Sequence, residues 1–152
     1  MRFEPLRFEH LRQMAEIEKE AFDMPWTENM FIPELSCPDA TYIVGVRGEE
    51  VVCYGGFHKV LDEAHITNIA VKNSERGRGI GSFLLSALIA KAKDMGVNEI
   101  TLEVKTTNVR AIGMYIKFGF EIVGVRKKYY NNLYDAYVMR LVTGEREGDG
   151  IA

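Results

Sequence analysis

The chain has 152 residues, of which 47% are hydrophobic and 27% charged, a balance typical of one soluble globular domain. Its net charge of −3 argues against general affinity for nucleic acids, which would need a positive surface. Cys37 and Cys53 have neither metal-site nor redox spacing, so we expect reduced thiols in a cytoplasmic protein. The charged residues within 1–7 predict no secretory signal, and the longest apolar run, Phe83–Ala90, is too short to span a membrane.

The first part of the chain is predicted to hold one strand and two helices. Residues 1–7 alternate as a strand does, and apolar residues at helical spacing predict an amphipathic helix from His10 to Phe22. The dipeptide Pro25-Trp26 interrupts this pattern. Thr27 is then a typical helix N-cap residue, and a shorter helix is predicted to end at Pro38.

The rest of the chain is predicted to contain six strands and two helices. The predicted strands are 41–47, 51–60, 65–71, 99–105, 120–125 and 133–141, and the predicted helices are 80–95 and 109–118. Gly96 and Gly119 follow the two helices, in the position that ends many helices. Three consecutive strands before the long helix predict a mixed sheet with helices on both faces. Four charges and three glycines from Thr143 onward predict a disordered tail, which leaves 1–142 as a single domain.

A glycine-rich segment joins the strand 65–71 to the long helix. Three alternate glycines and two arginines stand at the helix start; these are Arg76, Gly77, Arg78, Gly79 and Gly81. Backbone amides at a helix start, approached closely through glycine, are suited to binding phosphates. A P-loop would need Lys before Ser or Thr after its last glycine, where Ser82-Phe83 stands. The dinucleotide fingerprint fails as well, because the polar spacer after Val71 is too long for its tight turn.

The remaining pattern, Arg76-x-x-Gly79-x-Gly81 after a strand, resembles motif A of the GCN5-related N-acetyltransferase (GNAT) family. The order of predicted elements is also the family's, so the resemblance covers nearly the whole chain. The family's motif B region is similar to Leu102-Glu103-Val104-x-x-x-Asn108 followed by Ala111-Ile112-x-x-Tyr115-x-x-x-Gly119-Phe120. The family's RimI-type branch, which acetylates the N-terminal alanine of a ribosomal protein, is similar in Phe22-x-x-Pro25-Trp26 and Arg126-x-x-Tyr129-Tyr130. The chain departs from that branch at Asn131-Asn132-Leu133, which shortens the link after the tyrosine pair.

This resemblance implies an α/β fold whose central sheet of about seven strands is mixed, mostly antiparallel and splayed at its middle. It also implies acetyl-CoA as co-substrate and no metal. The pantetheine arm is expected along the strand end Ile69-Ala70-Val71, as an added strand would lie, and at Asn108. The expected pyrophosphate site is formed by Arg76, Gly77, Arg78, Gly79, Ile80, Gly81 and Ser82.

Acetyl transfer to an amine requires a base, because an α-amino group with a pKa near ~8 is mostly protonated at neutral pH. Glu103, a polar residue in an otherwise apolar strand, is the candidate base, acting directly or through a water. From the residues alone, a carboxylate on a solvated sheet face or in an ion pair remains the alternative. The resemblance favours the catalytic role.

Tyr115 and Asn108 each have a structural as well as a functional interpretation. Tyr115 lies on the apolar face of its predicted helix, which is typical of a core aromatic residue. The resemblance instead implies that it donates a proton to the departing sulfur of coenzyme A, and that it lies beside the coenzyme. Asn108 is placed as an ordinary helix N-cap, and both of its interpretations can hold together.

The aromatic residues outside these motifs are candidates for acceptor binding. Trp26 is either a core anchor or an acceptor contact, and Tyr129 and Tyr130 are predicted to wall a peptide groove. Stacked bases are disfavoured by the acidic net charge. The histidines are not spaced for a metal site; they are His10, His58 and His65.

The predicted function is therefore N-acetyl transfer from acetyl-CoA to a protein N-terminus in a ternary complex, with a ribosomal protein as the expected acceptor. Two alternatives stay open: acetylation of a small amine or lysine side chain, and a catalytically silent acyl-CoA-binding module. We expect a monomer or weak homodimer with no nucleic-acid or membrane partner.

Overall fold

The computed structural model describes residues 1–130 and 134–144, with the backbone alone at Tyr129 and Tyr130. The strands are β1 (Arg2–Glu4), β2 (Ala40–Arg47), β3 (Glu50–Val60), β4 (Glu63–Val71), β5 (Glu99–Lys105), β6 (Glu121–Tyr130) and β7 (Tyr134–Val142). The helices are α1 (Leu11–Ala21), α2 (Glu28–Phe31), α3 (Ile80–Asp94) and α4 (Val109–Lys117), with 3₁₀ turns at Phe8–His10, Ile32–Leu35 and Asn73–Glu75. The predicted order of strands and helices is confirmed.

All strands join one seven-stranded sheet in the order β1-β2-β3-β4-β5-β7-β6. Every neighbouring pair is antiparallel except β4 and β5, which run parallel. Among the described residues, β4 and β5 pair only at Glu63–His65 with Glu99–Thr101. The two strands diverge beyond these pairs, so the sheet is splayed at its middle, as expected.

Two apolar cores cover the two faces of the sheet. The larger one packs α3 and α4 residues such as Leu84, Leu88 and Tyr115 against the sheet residues Phe57 and Leu102. The smaller one packs α1 and α2 onto the opposite face through Leu11, Met14, Ile17, Phe31 and Tyr54. Successive strand residues point to opposite faces, and β5 shows this by burying Ile100, Leu102 and Val104 in the larger core. The predicted helices on both faces are confirmed.

Helix boundaries follow local chemistry that the sequence indicated. The hydroxyl of Thr27 accepts the N–H of Met30 at 3.4 Å at the start of α2. Gly96 and Gly119, which follow α3 and α4, have φ angles of 81° and 99°, a region that L-residues with a side chain rarely adopt. The ends of these helices are therefore fixed by glycine, as predicted.

The predicted end of β6 at Val125 is wrong, because the strand continues to Tyr130. Lys128 has a φ of 52°, and its N–H donates to Oδ1 of Asp135 at 2.8 Å. The register between β6 and β7 shifts between Arg126 and Tyr130, so a bulge interrupts the alternation that marks a strand in sequence.

Two predictions fall wholly or partly on residues outside those that the structure describes. The link Asn131-Asn132-Leu133 lies outside them, as do residues 145–152 of the predicted tail. Thr143, where that tail was predicted to begin, is hydrogen-bonded to the segment just before β5: its N–H donates to the carbonyl of Asn98 at 2.9 Å. Within the described residues, no helix is long and apolar enough to cross a membrane.

Candidate functional site

A cleft of about 1170 Å³ opens where β4 and β5 diverge. One wall is the diverging part of β4, and the opposite wall is the end of β5 with the start of α4. The glycine-rich segment and the segment after α1, with Trp26, also line it. The residues predicted for the site that line it are Trp26, Ile69, Ala70, Val71, Arg76, Gly77, Gly79, Ile80, Gly81, Ser82, Glu103, Asn108 and Tyr115.

The glycine-rich segment brings the start of α3 to the cleft. Gly77 and Gly79 have φ angles of 81° and 77°, so glycine is required at both positions. Gly79 is the N-cap of α3 and supplies no side-chain cap for the first amides of the helix. These amides and the positive end of the helix dipole form an anion site beside Arg76 and Ser82, of the kind that a pyrophosphate needs.

Arg78 is the one predicted pyrophosphate residue that the structure does not place in the cleft lining. Its Nη1 lies 3.6 Å from Oε2 of Glu75, a buried carboxylate that also binds Arg47. The negative charge of Glu75 therefore explains the position of Arg78. The role predicted for this residue, contact with the pyrophosphate through its backbone amide, stays a prediction.

The diverging end of β4 offers a strand edge to an extended ligand. Ile69, Ala70 and Val71 pair with β3 on one side, whereas the pairing of β4 with β5 stops at His65. Their remaining backbone groups therefore face the cleft, where a chain with amide groups could pair as an additional strand would. This is the geometry expected for a pantetheine arm.

Glu103 lines the cleft at the point where the sheet divides. Its Oε1 accepts a hydrogen bond from Nη1 of Arg126 at 3.0 Å, and its Oε2 is bonded to Nε2 of His65. A carboxylate can only accept, so Nε2 of His65 is the donor. The hydrogen bond from His65 lowers the pKa of Glu103 below its ordinary value; burial opposes this effect and Arg126 adds to it. Glu103 is thus a carboxylate at neutral pH, and it combines an ion pair with Arg126 with a place in the cleft, while Lys105 pairs with Asp23 instead.

Tyr115 and Asn108 combine their structural and site positions. Tyr115 is only 5% exposed, packs in the larger core with its ring 5.6 Å from that of Phe120, and yet lines the cleft. Asn108 accepts the N–H of Ala111 at 3.2 Å, which confirms it as the N-cap of α4, and it lines the cleft as well. The cap uses the side-chain oxygen, which leaves the amide nitrogen as the group suited to a ligand carbonyl.

Trp26 both packs against the smaller core and borders the cleft. Its ring centroid lies 5.0 Å from that of Phe31, and its backbone N–H donates to Oε1 of Glu18 at 2.9 Å. The backbones of Tyr129 and Tyr130 end β6, and their predicted role as walls of a groove lies outside the described side chains.

Glu18 is a cleft residue that the sequence analysis missed. Its side chain lies on the apolar face of α1, one turn after Met14, and is only 1% exposed. Its Oε1 is the acceptor for the N–H of Trp26. Its Oε2 accepts hydrogen bonds from the hydroxyl of Tyr54 and from Nδ2 of Asn68. A glutamate on an apolar helix face was the signal that could have found it, because such a residue is buried only when it has partners. Burial raises the pKa of Glu18, and its hydrogen bonds oppose that rise.

A second polar cluster lies outside the cleft lining. Atoms of Glu34, Cys37 and His58 that could bind a metal ion lie within 4.8 Å of one another, although the sequence spacing suggested no such set. Oε1 of Glu34 is hydrogen-bonded to Nε2 of His58 and to the hydroxyl of Tyr42, at 2.7 Å in each case. These contacts already satisfy the buried carboxylate and tie the 3₁₀ turn after α2 to the sheet.

A splayed sheet with a helix-start anion site beside an open strand edge defines a class of acyl-coenzyme A-dependent transferases, as the sequence resemblance implied. Residues 11–120 match the sequence profile of the Acetyltransferase (GNAT) family. The chain therefore belongs to this family of acetyl-CoA-dependent acetyltransferases.

Similar proteins come from several bacteria. A Bacillus subtilis protein provisionally named [ribosomal protein bS18]-alanine N-acetyltransferase is 37% identical over 92% of this chain and 94% of its own length. The Escherichia coli K12 protein named [Ribosomal protein bS18]-alanine N-acetyltransferase is 32% identical, over 82% of this chain and 86% of its own. The crystal structure of the E. coli ribosomal-protein-S18-alanine N-acetyltransferase superimposes with a TM-score of 0.88 at 28% identity, covering 99% of this chain and 98% of that one.

Proposed function

We propose that this acetyltransferase modifies the α-amino group of a protein N-terminus, and that the favoured acceptor is the N-terminal alanine of a ribosomal protein. The observation that carries the proposal is one cleft that joins a coenzyme site to an ionised carboxylate, Glu103. The names of the relatives from B. subtilis and E. coli support the choice of acceptor.

The coenzyme is proposed to bind along the cleft from the glycine-rich segment to the point of the splay. The amides at the start of α3, together with Arg76 and Ser82, hold the pyrophosphate. The backbone of Ile69-Ala70-Val71 pairs with the pantetheine amides, and Asn108 contacts the same arm. An amide near Val71 polarises the thioester carbonyl, where negative charge develops during attack. No role for a metal is included in this proposal.

The reaction then requires three proton movements. Glu103 takes a proton from the acceptor ammonium, directly or through a water, and the neutral amine attacks the thioester carbon. The tetrahedral intermediate collapses with cleavage of the C–S bond, and the hydroxyl of Tyr115 protonates the departing thiolate. The attacking nitrogen gives up its remaining excess proton as the amide forms, and this proton restores the hydroxyl of Tyr115. Because the pKa of Glu103 is lowered, the carboxylate is ready to accept a proton at neutral pH but does not retain it. The proton passes on to solvent.

The acceptor is proposed to enter on the side of the cleft bordered by Trp26, with Tyr129 and Tyr130 as further contacts. A confined end of this groove favours a small first residue such as alanine. A lysine side chain, whose amine has a pKa near ~10.4, is harder to deprotonate than an α-amine near ~8. The two free thiols at Cys37 and Cys53 fit the reducing cytoplasm, where we infer that the protein acts as a monomer or weak homodimer.

Mass spectrometry tests the acceptor directly. The enzyme and acetyl-CoA are incubated with peptides that begin with Ala, with the same peptides blocked at the N-terminus, with peptides bearing internal lysines, and with spermidine. We expect acetylation of the free N-terminal Ala and none of the blocked peptide. Faster modification of spermidine or of an internal lysine would show that the acceptor is a small amine or a lysine side chain and not a protein N-terminus. Coenzyme binding without any turnover would indicate a silent acyl-CoA-binding module.

Ser82 offers a matched test of the coenzyme site. It is exposed in the first turn of α3, where an aspartate stabilises a helix through its dipole, so Ser82→Asp is expected to fold. The added charge would repel the pyrophosphate and weaken acetyl-CoA binding by calorimetry, whereas Ser82→Asn has almost the same shape without the charge. Equal affinities in the two variants would contradict the assigned site.

A further inference from the structure

Two side chains that are not among the described lining residues of the cleft, those of Arg126 and His65, bind the carboxylate of Glu103. Arg126 binds Oε1 at 3.0 Å and His65 binds Oε2, so each oxygen of the carboxylate has its own partner. Of these three residues, Glu103 lines the cleft, and neither His65 nor Arg126 is among the described lining residues. The carboxylate side chain is 12% exposed, against 43% for His65 and 53% for Arg126. A reactant in the cleft can therefore meet Glu103.

The splay of the sheet explains this arrangement. His65 pairs with Thr101 in the last residue pair between β4 and β5, and Glu103 stands two residues further along β5 on the same face. Arg126 reaches the carboxylate from β6, across the intervening strand β7. The carboxylate is therefore fixed between the two halves of the sheet, from β4 on one side and from β6 on the other.

We propose that His65 is a positioning residue for the acetyl transfer, which holds Glu103 at the apex of the splay and sets its basicity through its own charge. The inference deepens the proposed function and rests on it. Neutral His65 donates Nε2–H to the carboxylate and keeps that proton throughout the reaction. Protonation at Nδ1 produces an imidazolium beside Glu103, which weakens the attraction of the carboxylate for the acceptor's proton. Transfer is therefore expected to fall as His65 becomes charged.

Other charged groups near His65 belong to its flanking strands. On β3 it faces His58, which is itself bound to Glu34 at 2.7 Å. Two pairs earlier, Glu63 of β4 stands opposite Glu99 of β5, and Arg140 of β7 lies 3.4 Å from Glu99. His65 itself is hydrogen-bonded through Nε2 to Oε2 of Glu103.

Two substitutions separate the hydrogen bond of His65 from its charge. His65→Gln places an amide N–H near the position of Nε2 and cannot ionise, whereas His65→Leu removes the donor. For His65→Leu we expect a loss of kcat of roughly 10- to 100-fold, the effect of one hydrogen bond to a charged group, with unchanged acetyl-CoA affinity. His65→Gln should recover most of this loss above neutral pH. If protonation of His65 causes part of the fall in kcat at acidic pH in the parent, His65→Gln should lack that part of the fall.

The decisive experiment measures kcat, KM for an Ala-initiated peptide and acetyl-CoA affinity across pH for the parent, both His65 variants, Glu103→Gln and the double variant His65→Leu/Glu103→Gln. If His65 acts through Glu103, adding His65→Leu to Glu103→Gln changes kcat by less than about twofold, since contacting residues are not additive. Additive losses, an unchanged acid limb in His65→Gln, or equal losses in His65→Gln and His65→Leu would overturn the inference.

Failure of the proposed function has a different signature. The parent would then modify another amine faster than any peptide N-terminus. The same five proteins would be compared on that amine, because the contacts of His65 and Arg126 with Glu103 do not depend on the acceptor. A parent that modifies no amine at all would overturn both the proposed function and the role of His65.

Discussion

Two carboxylates, Glu18 and Glu103, line the same cleft and are held in opposite ways. Glu18 is almost fully buried, and its donors are uncharged: the hydroxyl of Tyr54, the amide of Asn68 and the backbone N–H of Trp26. Burial therefore dominates and raises its pKa. Glu103 meets His65 and Arg126 instead, and the hydrogen bond from His65 is the main cause of its lowered pKa.

The difference shows that the hydrogen-bond donors around a carboxylate in the cleft determine which role that carboxylate is suited to. Neutral donors around Glu18 tie three segments together, namely α1, the sheet and the segment that carries Trp26, so Glu18 fixes the border of the cleft at Trp26. A cation and an imidazole around Glu103 keep the carboxylate ionised at the point where the sheet divides. We therefore assign an architectural role to Glu18, and the proposed mechanism gives proton transfer to Glu103.

Glu103→Gln should produce the largest effect on activity. The amide keeps the shape but cannot accept a proton as a base, so we expect kcat to fall by about 10²–10⁴-fold with little change in acetyl-CoA affinity. Steady-state kinetics on an Ala-initiated peptide, with calorimetry for the coenzyme, measures both quantities. The matched control is Glu18→Gln, which should retain kcat within about tenfold. Equal losses in the two variants would remove the distinction between the carboxylates.

Tyr115→Phe tests the proposed protonation of the departing thiolate. The ring remains packed against Phe120, and only the transferable proton is lost, so we expect kcat to fall by about 10²-fold while thermal stability stays close to that of the parent. Phe120→Leu is the control for packing, since it disturbs the same contact without removing a proton donor. Turnover of Tyr115→Phe within about twofold of the parent would exclude Tyr115 as the acid.

Among Glu103→Gln, Glu18→Gln and Glu18→Ala, the last should cause the largest loss of stability. Removing the side chain leaves buried donors of Tyr54, Trp26 and Asn68 without their acceptor, which we expect to cost about 2–4 kcal/mol in urea unfolding. Glu18→Gln retains one acceptor oxygen and should cost about 1–2 kcal/mol. A Glu18→Ala protein as stable as the parent would show that these hydrogen bonds do not hold the acceptor side of the cleft.

The pH dependence of stability gives the smallest but most direct contrast. The pKa of Glu103 is lowered from 4.5, so its contribution is present above that value and is lost as the pH falls through the folded-state pKa. The pKa of Glu18 is raised from 4.5, so its contribution is full below that value and is lost as the pH rises through the folded-state pKa. On acidification, the destabilisation caused by Glu103→Gln should therefore shrink, while that caused by Glu18→Gln should grow. Thermal melting of both variants and the parent checks these signs; parallel trends would contradict the assignment.

The sequence predicted most of the elements because they depend on local patterns. Apolar spacing marked α1 and α3, alternation marked β5, and glycines marked the ends of α3 and α4. Motif A likewise placed the anion site at the start of α3, since its chemistry lies within one short segment. The end of β6 was missed because the bulge at Lys128 breaks the alternation on which such a prediction depends.

Candidate site residues were also predictable where a motif names them, as with Glu103, Asn108 and Tyr115, all of which line the cleft. Arg78 was included for the backbone amide it adds to the glycine-rich segment, and its side chain lies beside the buried Glu75. Glu18 and His65 were missed, because each gains its role from partners that are distant in the chain: Tyr54 and Asn68 for the first, Glu103 for the second.

By itself the sequence determined the local events: which segments are strands or helices, where glycine permits a positive φ, and which short motif offers amides to a phosphate. The tertiary structure decided how the two halves of the sheet diverge after His65, and with it which carboxylate meets cations and which meets neutral donors. The physical reason is that electrostatic environment is a property of neighbours in space. Burial and hydrogen-bond partners set the proton affinity of a glutamate, and neither is encoded within a few residues of it.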